Sequence, residues 1–191
     1  EDHLLRGIDE DFLELAKNFH KIPYCATFGV SCAGHFYEIS EDYYKKQGYS
    51  KEFVRATFYP NPNGHLNIII FHEIPHIQKL LEIIKNEISF EKDASFKKIN
   101  HVFGPKENNK LEVWEIRIGE NNCLKSLNEE YFGGDLPIEE YKVVYKESKN
   151  RCEEIKSFWE NLAVKTLDFC EKNNFKEINI QKRKSEIINI W

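Results

Sequence analysis

Apolar residues in this chain come in short runs, the longest being Ile68 to Phe71. A strand of that length is not stable alone; it needs neighbours and a common apolar surface to cover. The segments Phe36–Ile39, Phe53–Tyr59, Ile68–Phe71, Phe96–Phe103 and Leu111–Ile118 are rich in β-branched and aromatic residues and are bounded by turn-forming residues. They are expected to share one sheet, with Tyr24–Phe28 as a further strand. Pro60-Asn61-Pro62-Asn63-Gly64 is a turn by composition and leads into the strand His65–Phe71, while the polar stretch 104–110 suggests a hairpin between the last two strands.

Three stretches follow a helical period instead. Ile8, Phe12, Leu15, Ala16 and Phe19 recur on one face, Asp9 is placed to cap that helix, and Pro23 ends it. Pro75 suits the first turn of a helix through Ile88, because its missing N–H costs nothing there. From Ile138 to Asn173 the residues Tyr141, Val144, Ile155, Phe158, Trp159, Leu162 and Phe169 keep a helical spacing, as one helix or two. No linker or repeat divides the chain, so residues 1–191 are expected to form a single globular domain. Its class is α+β: a mixed, largely antiparallel sheet with flanking helices and a long C-terminal helix.

Charge and composition narrow the partners. The net charge is -5 and the pI near 5.9, which argues against binding nucleic acid by bulk electrostatics. Lys182-Arg183-Lys184 is a local basic patch, and Tyr37, Tyr43, Tyr44 and Tyr49 beside Lys45 and Lys46 offer stacking surfaces, although both patterns are commoner as solvated surface. No apolar run can span a bilayer, and acidic residues stand at the start where a secretion signal has basic and then apolar ones. The five cysteines are irregularly spaced with no CxxC pair, so a reducing, cytoplasmic setting is expected. Phosphate-loop and dinucleotide-binding glycine patterns are absent, and the chain contains no methionine. Nothing in the sequence sets the oligomeric state.

Two stretches carry reactive residue types. His72-Glu73-Ile74-Pro75-His76 spells HExxH, but Pro75 starts a helix and leaves His72 and Glu73 on the preceding strand end. The shared helical face that a zinc site needs is lost. Thr27-to-Ile39 holds Ser31-Cys32-Ala33-Gly34-His35 between two strands. Cys32 and His35 can form a thiolate–imidazole pair. A structural reading, with Cys32 as a small apolar residue and His35 satisfied at a strand start, has equal weight. Convergence of Cys32, His35, His72 and His76 around a transition metal is a third arrangement, though the sequence assigns no metal ligand.

Taken with Gly7-Ile8-Asp9-Glu10-Asp11-Phe12-Leu13-Glu14-Leu15 and Ala26-Thr27, the stretch Ser31-Cys32-Ala33-Gly34-His35-Phe36 resembles the N-terminal part of the wybutosine-synthesising tRNA methyltransferase family. That family carries a "VDE" helix start followed by a "TTSSCSGRI"-like loop. The strand Ile68–Phe71 ending in His72 is similar, more weakly, to its strand ending in Ser-His. His35 stands where the family has arginine. The resemblance covers about thirty residues, a length at which short motifs also arise by chance. It implies S-adenosylmethionine-dependent methyl transfer to a modified guanosine of tRNA. On it, Cys32, His35 and His72 are the catalytic candidates, and Ser31 and Gly34 bind the cofactor. The alternative is a small-ligand or metal-binding protein that shares the loop without methyltransferase activity. Every active-site version requires His35 and His72 to meet.

Overall fold

The structure, a computed structural model, describes residues 9–28, 31–38, 58–61, 64–99, 111–119 and 138–176. The turn or helix expected after Ser40, Tyr43, Tyr44 and Tyr49 with Lys45 and Lys46, the turn 104–110, Cys123 and Lys182-Arg183-Lys184 lie outside those residues. In chain order the elements are a 3-10 turn (Glu10–Phe12), α1 (Leu13–Lys21), β1 (Cys25–Thr27), β2 (His35–Glu38), β3 (Phe58–Asn61) and β4 (Gly64–Phe71). Then come α2 (Pro75–Ser89), β5 (Ala94–Ile99), β6 (Leu111–Ile118) and α3 (Ile138–Lys172). The long C-terminal period is therefore one helix, about 52 Å long at 1.5 Å per residue.

β1, β4, β6 and β5 form a four-stranded antiparallel sheet in that order, with β4 and β6 paired from Gly64↔Ile118 to Phe71↔Leu111. The α+β class holds. The single sheet does not, because among the described residues β2 and β3 pair only with each other, from His35↔Asn61 to Glu38↔Phe58. Two residues suit this arrangement. Pro60 lacks the N–H that an inner strand offers, which fits β3 as a strand with one partner. Gly34, with φ 84°, turns the chain away from the sheet just before β2. That backbone conformation is open to glycine and strained for most other residues.

Alternation along β4 sets the core. Leu66, Ile68 and Ile70 are buried on one face with Ile116 and Ile118 of β6. Against them pack Leu15 and Phe19 of α1, Ile77, Leu80, Leu81 and Ile84 of α2, and Ile155, Trp159, Leu162 and Phe169 of α3. Each large aliphatic residue buried this way is worth about 1.5–3 kcal/mol. The opposite face carries a smaller cluster of Ala26, Ile69 and Val113 with Phe28, Ile99 and Leu111 around them. Among the described residues no helix is long and apolar enough to cross a membrane.

Candidate functional site

The Ser31–His35 stretch is held at the start of β4. Cys32 and His65 exchange both backbone hydrogen bonds, at 3.1 and 2.7 Å, in an isolated bridge. Asp9, just ahead of the first helical turn, binds the stretch at three points. Its N–H donates to Ser31 Oγ at 3.2 Å, its Oδ2 accepts from Ala33 N–H at 3.1 Å, and the same carboxylate contacts His35 Nε2. Its Oδ1 also receives Asp11 N–H at 3.4 Å, the capping bond expected from sequence.

From the other side, α3 clamps the loop. The buried Trp159 indole donates to the Ala33 carbonyl at 2.9 Å, and its ring meets Phe12 edge-on at 4.7 Å. Cys152 donates its thiol proton to the His35 carbonyl at 3.4 Å. Gly64 makes room for this arrangement, since a Cβ there would lie 2.7 Å from Trp159 Nε1 and 2.9 Å from Ile118 Cγ2.

A cavity of about 370 Å³ opens beside the loop, a size within the usual range for small-molecule sites. Gly34 and His35 line one wall, Asp11 another, and Lys149, Cys152, Glu153 and Lys156 the third. Those four fall at i, i+3, i+4 and i+7, one face of α3. The lining is mixed in charge: Lys156 Nζ lies 3.6 Å from Asp11 Oδ1, and Asp11 Oδ2 lies 3.8 Å from His35 Nδ1. Asp9, Cys32 and His35 each bring one metal-ligand atom, all within 4.8 Å of one another.

Of the residues proposed from sequence, Gly34 and His35 line the cavity and Cys32 sits beside them, half-buried. Ser31 is buried and its hydroxyl accepts from Asp9, so it braces the loop. His72 does not join this group. Cys32 pairs with His65 at one end of β4, and His72 follows the other end; seven residues at about 3.3 Å each place it about 23 Å along the strand. There His72 Nδ1 lies 3.2 Å from Glu112 Oε2, and the Glu112 carboxylate also receives Lys98 Nζ and Trp114 Nε1.

His76 Nε2 donates to the Pro23 carbonyl at 3.0 Å, from the first turn of α2. His72 and Glu73 precede that helix, as Pro75 dictates, so HExxH builds no zinc site. The set Cys32, His35, His72 and His76 is likewise divided between the two ends of β4. Sequence reasoning missed Asp9, read there as a cap, and the cavity face of α3. The spacing of Lys149, Cys152, Glu153 and Lys156 was the available signal for that face.

The fold and the site together define an α+β protein with an Asp/Cys/His corner opening on a charged cavity. Compared with models of known protein families, with curated proteins and with solved structures, the chain finds no match.

Proposed function

We propose that the protein is a methyltransferase of the tRNA-modification kind, which binds S-adenosylmethionine in the cavity between α3 and the Ser31–His35 loop. The observation that carries this reading is the junction at Asp9. The two stretches behind the resemblance, 7–15 and 31–36, are joined by Asp9 through Ser31, Ala33 and His35. A spacing pattern in sequence thus corresponds to one corner in space.

The lining suits the cofactor. Its amino-acid end carries a carboxylate and an ammonium, which Lys149 and Lys156 on one hand and Asp11 and Glu153 on the other can meet. When bound, S-adenosylmethionine would supply a methyl carbon carried on a sulfonium leaving group, which departs as a neutral thioether, to a ring nitrogen of the guanosine derivative, whose N–H proton would pass to solvent. The protein's work is to align donor and acceptor. Gly34, lacking a side chain, lets a ligand approach the backbone closely. Cys32 and His35 present the reactive groups of the loop, and the reading stands without His72, which lies beyond the other end of β4 and has no part in this site.

Isothermal titration of the full chain with S-adenosylmethionine tests this reading. Saturable one-site binding is expected, weakened about tenfold or more by Lys149→Ala with Glu153→Ala at an unchanged melting temperature. Transfer of labelled methyl to tRNA that carries the unmethylated tricyclic base then identifies the acceptor. Absence of binding at millimolar cofactor overturns the reading.

A further inference from the structure

We propose that Asp9, Cys32 and His35 bind a divalent transition-metal ion of the zinc class, with a fourth coordination position open at the cavity. The inference does not rest on methyl transfer. It rests on three ligand atoms of different chemistry, brought within 4.8 Å of one another by two segments of chain, Asp9 from one and Cys32 and His35 from the other. Around a tetrahedral ion with arms of about 2.0–2.3 Å, ligand atoms stand about 3.3–3.8 Å apart. The wider pairs therefore close by up to about 1.5 Å on an ion, while the Asp9 carboxylate and His35 Nε2, already in contact, move apart to admit it. Asp9 and His35 are largely buried, with side-chain exposures of 13% and 23%, so an ion there sheds most of its water.

The surroundings match what a ligand set requires. Ala33 N–H at 3.1 Å and Asp11 N–H at 3.4 Å fix the Asp9 carboxylate, each leaving a lone pair on its oxygen. Behind the His35 ring, Asp11 Oδ2 stands 3.8 Å from Nδ1, beyond hydrogen-bond reach but on the side from which a carboxylate orients a ligating imidazole. On binding, the His35 proton stands on Nδ1, facing Asp11, in place of its contact with Asp9, and the Cys32 thiol proton passes to solvent, so Nε2 and Sγ each turn a lone pair to the ion. A thiolate, an imidazole and one carboxylate select zinc, cobalt or copper over calcium or magnesium, which need several oxygen ligands. Three protein ligands leave one position for water or a substrate atom, and His35 and Gly34 line the cavity from which it enters.

Cobalt(II) titration of the metal-stripped full chain tests the site without any cofactor present. One equivalent is expected to give the thiolate-to-cobalt charge-transfer band and the intense visible bands of four-coordinate cobalt, both abolished by excess zinc. Cys32→Ser removes the charge-transfer band while circular dichroism stays native. Asp9→Asn, whose side chain still caps the first turn, weakens zinc and cobalt binding about tenfold or more. Cys152→Ser leaves the spectrum unchanged, which separates Cys32 from the other thiol at the cavity. A wild-type chain with no charge-transfer band, a band that survives Cys32→Ser, or one that disappears in Cys152→Ser overturns the proposal.

Discussion

The two ends of β4 hold similar residue types and build different things from them. At the His65 end, polar groups bind backbone atoms of distant segments: Asp9 to Ala33, Trp159 to Ala33, Cys152 to His35. At the His72 end, apart from the bond of His76 to the Pro23 carbonyl and that of Gln78 to the His72 carbonyl, Lys98, Glu112, Trp114 and His72 bind one another, with Lys98 and His72 about half exposed. Side chains that bond backbone fix the path of a loop and can hold a cavity open beside it. A surface ion-pair cluster fixes little beyond its own rotamers. HExxH drew attention to the second end by residue type, while the chemistry-bearing enclosure formed at the first.

The sharpest way to break this contrast is Trp159→Ala, which removes a buried indole and its bond to the loop. It is expected to cost about 3–5 kcal/mol in denaturant unfolding and to weaken ligand binding at the cavity. Asp9→Ala should cost about 2–3 kcal/mol, combining a lost cap with a buried Ala33 N–H left without its carboxylate. Gly64→Ala, which drives a methyl group toward Trp159 and Ile118, should cost about 1–3 kcal/mol and move tryptophan emission. A cost under about 0.5 kcal/mol for Asp9→Ala or Gly64→Ala would make the loop end no more constrained than an ordinary surface.

At the far end the effects should be smallest. Lys98→Ala and His72→Ala are each expected to cost under about 1 kcal/mol. Burial pushes the Glu112 carboxyl up, but hydrogen bonds from Lys98 and Trp114 and the nearby His72 outweigh it, and the group sits below its ordinary value of 4.5. A carboxyl with a depressed pKa in the folded state binds protons less readily than in the unfolded chain. Its stabilisation is therefore full above 4.5 and is lost as pH falls through the lower folded value. Urea unfolding from about pH 6 to about pH 3 should show that loss, and Glu112→Gln should flatten it. A loss unchanged in Glu112→Gln would assign it to other carboxylates.

Local chemistry made much of the fold legible. Pro75 announced the start of α2, β-branched and aromatic runs between turn residues marked β4 and β6, and Pro23 ended the first helical stretch one residue beyond Ile22. The separation of β2 and β3 was harder to read, because short apolar runs state the need for a partner without naming it. Pro60 was in view as a turn residue, and its second meaning, a strand suited to one partner, went unread. At the site, Cys32, Gly34 and His35 were legible because they are contiguous. Asp9 had a sufficient local explanation as a cap, and nothing local showed that its second oxygen would reach Ala33. His72 misled for the converse reason: adjacency in a motif says nothing about which end of a strand a side chain occupies.

The bond from Trp159 to Ala33 spans 126 positions of sequence. Synthesis runs from the N-terminus, so the loop leaves the ribosome with its Ala33 carbonyl unmet, long before the helix that will close over it has been made. That closing bond therefore forms only after α3 has been made, whereas the bonds from Asp9 to Ala33 and His35 span 24 and 26 positions and need no part of it. A nascent chain arrested ahead of α3 thus carries Asp9, Cys32 and His35 intact but lacks the wall that turns them into an enclosure.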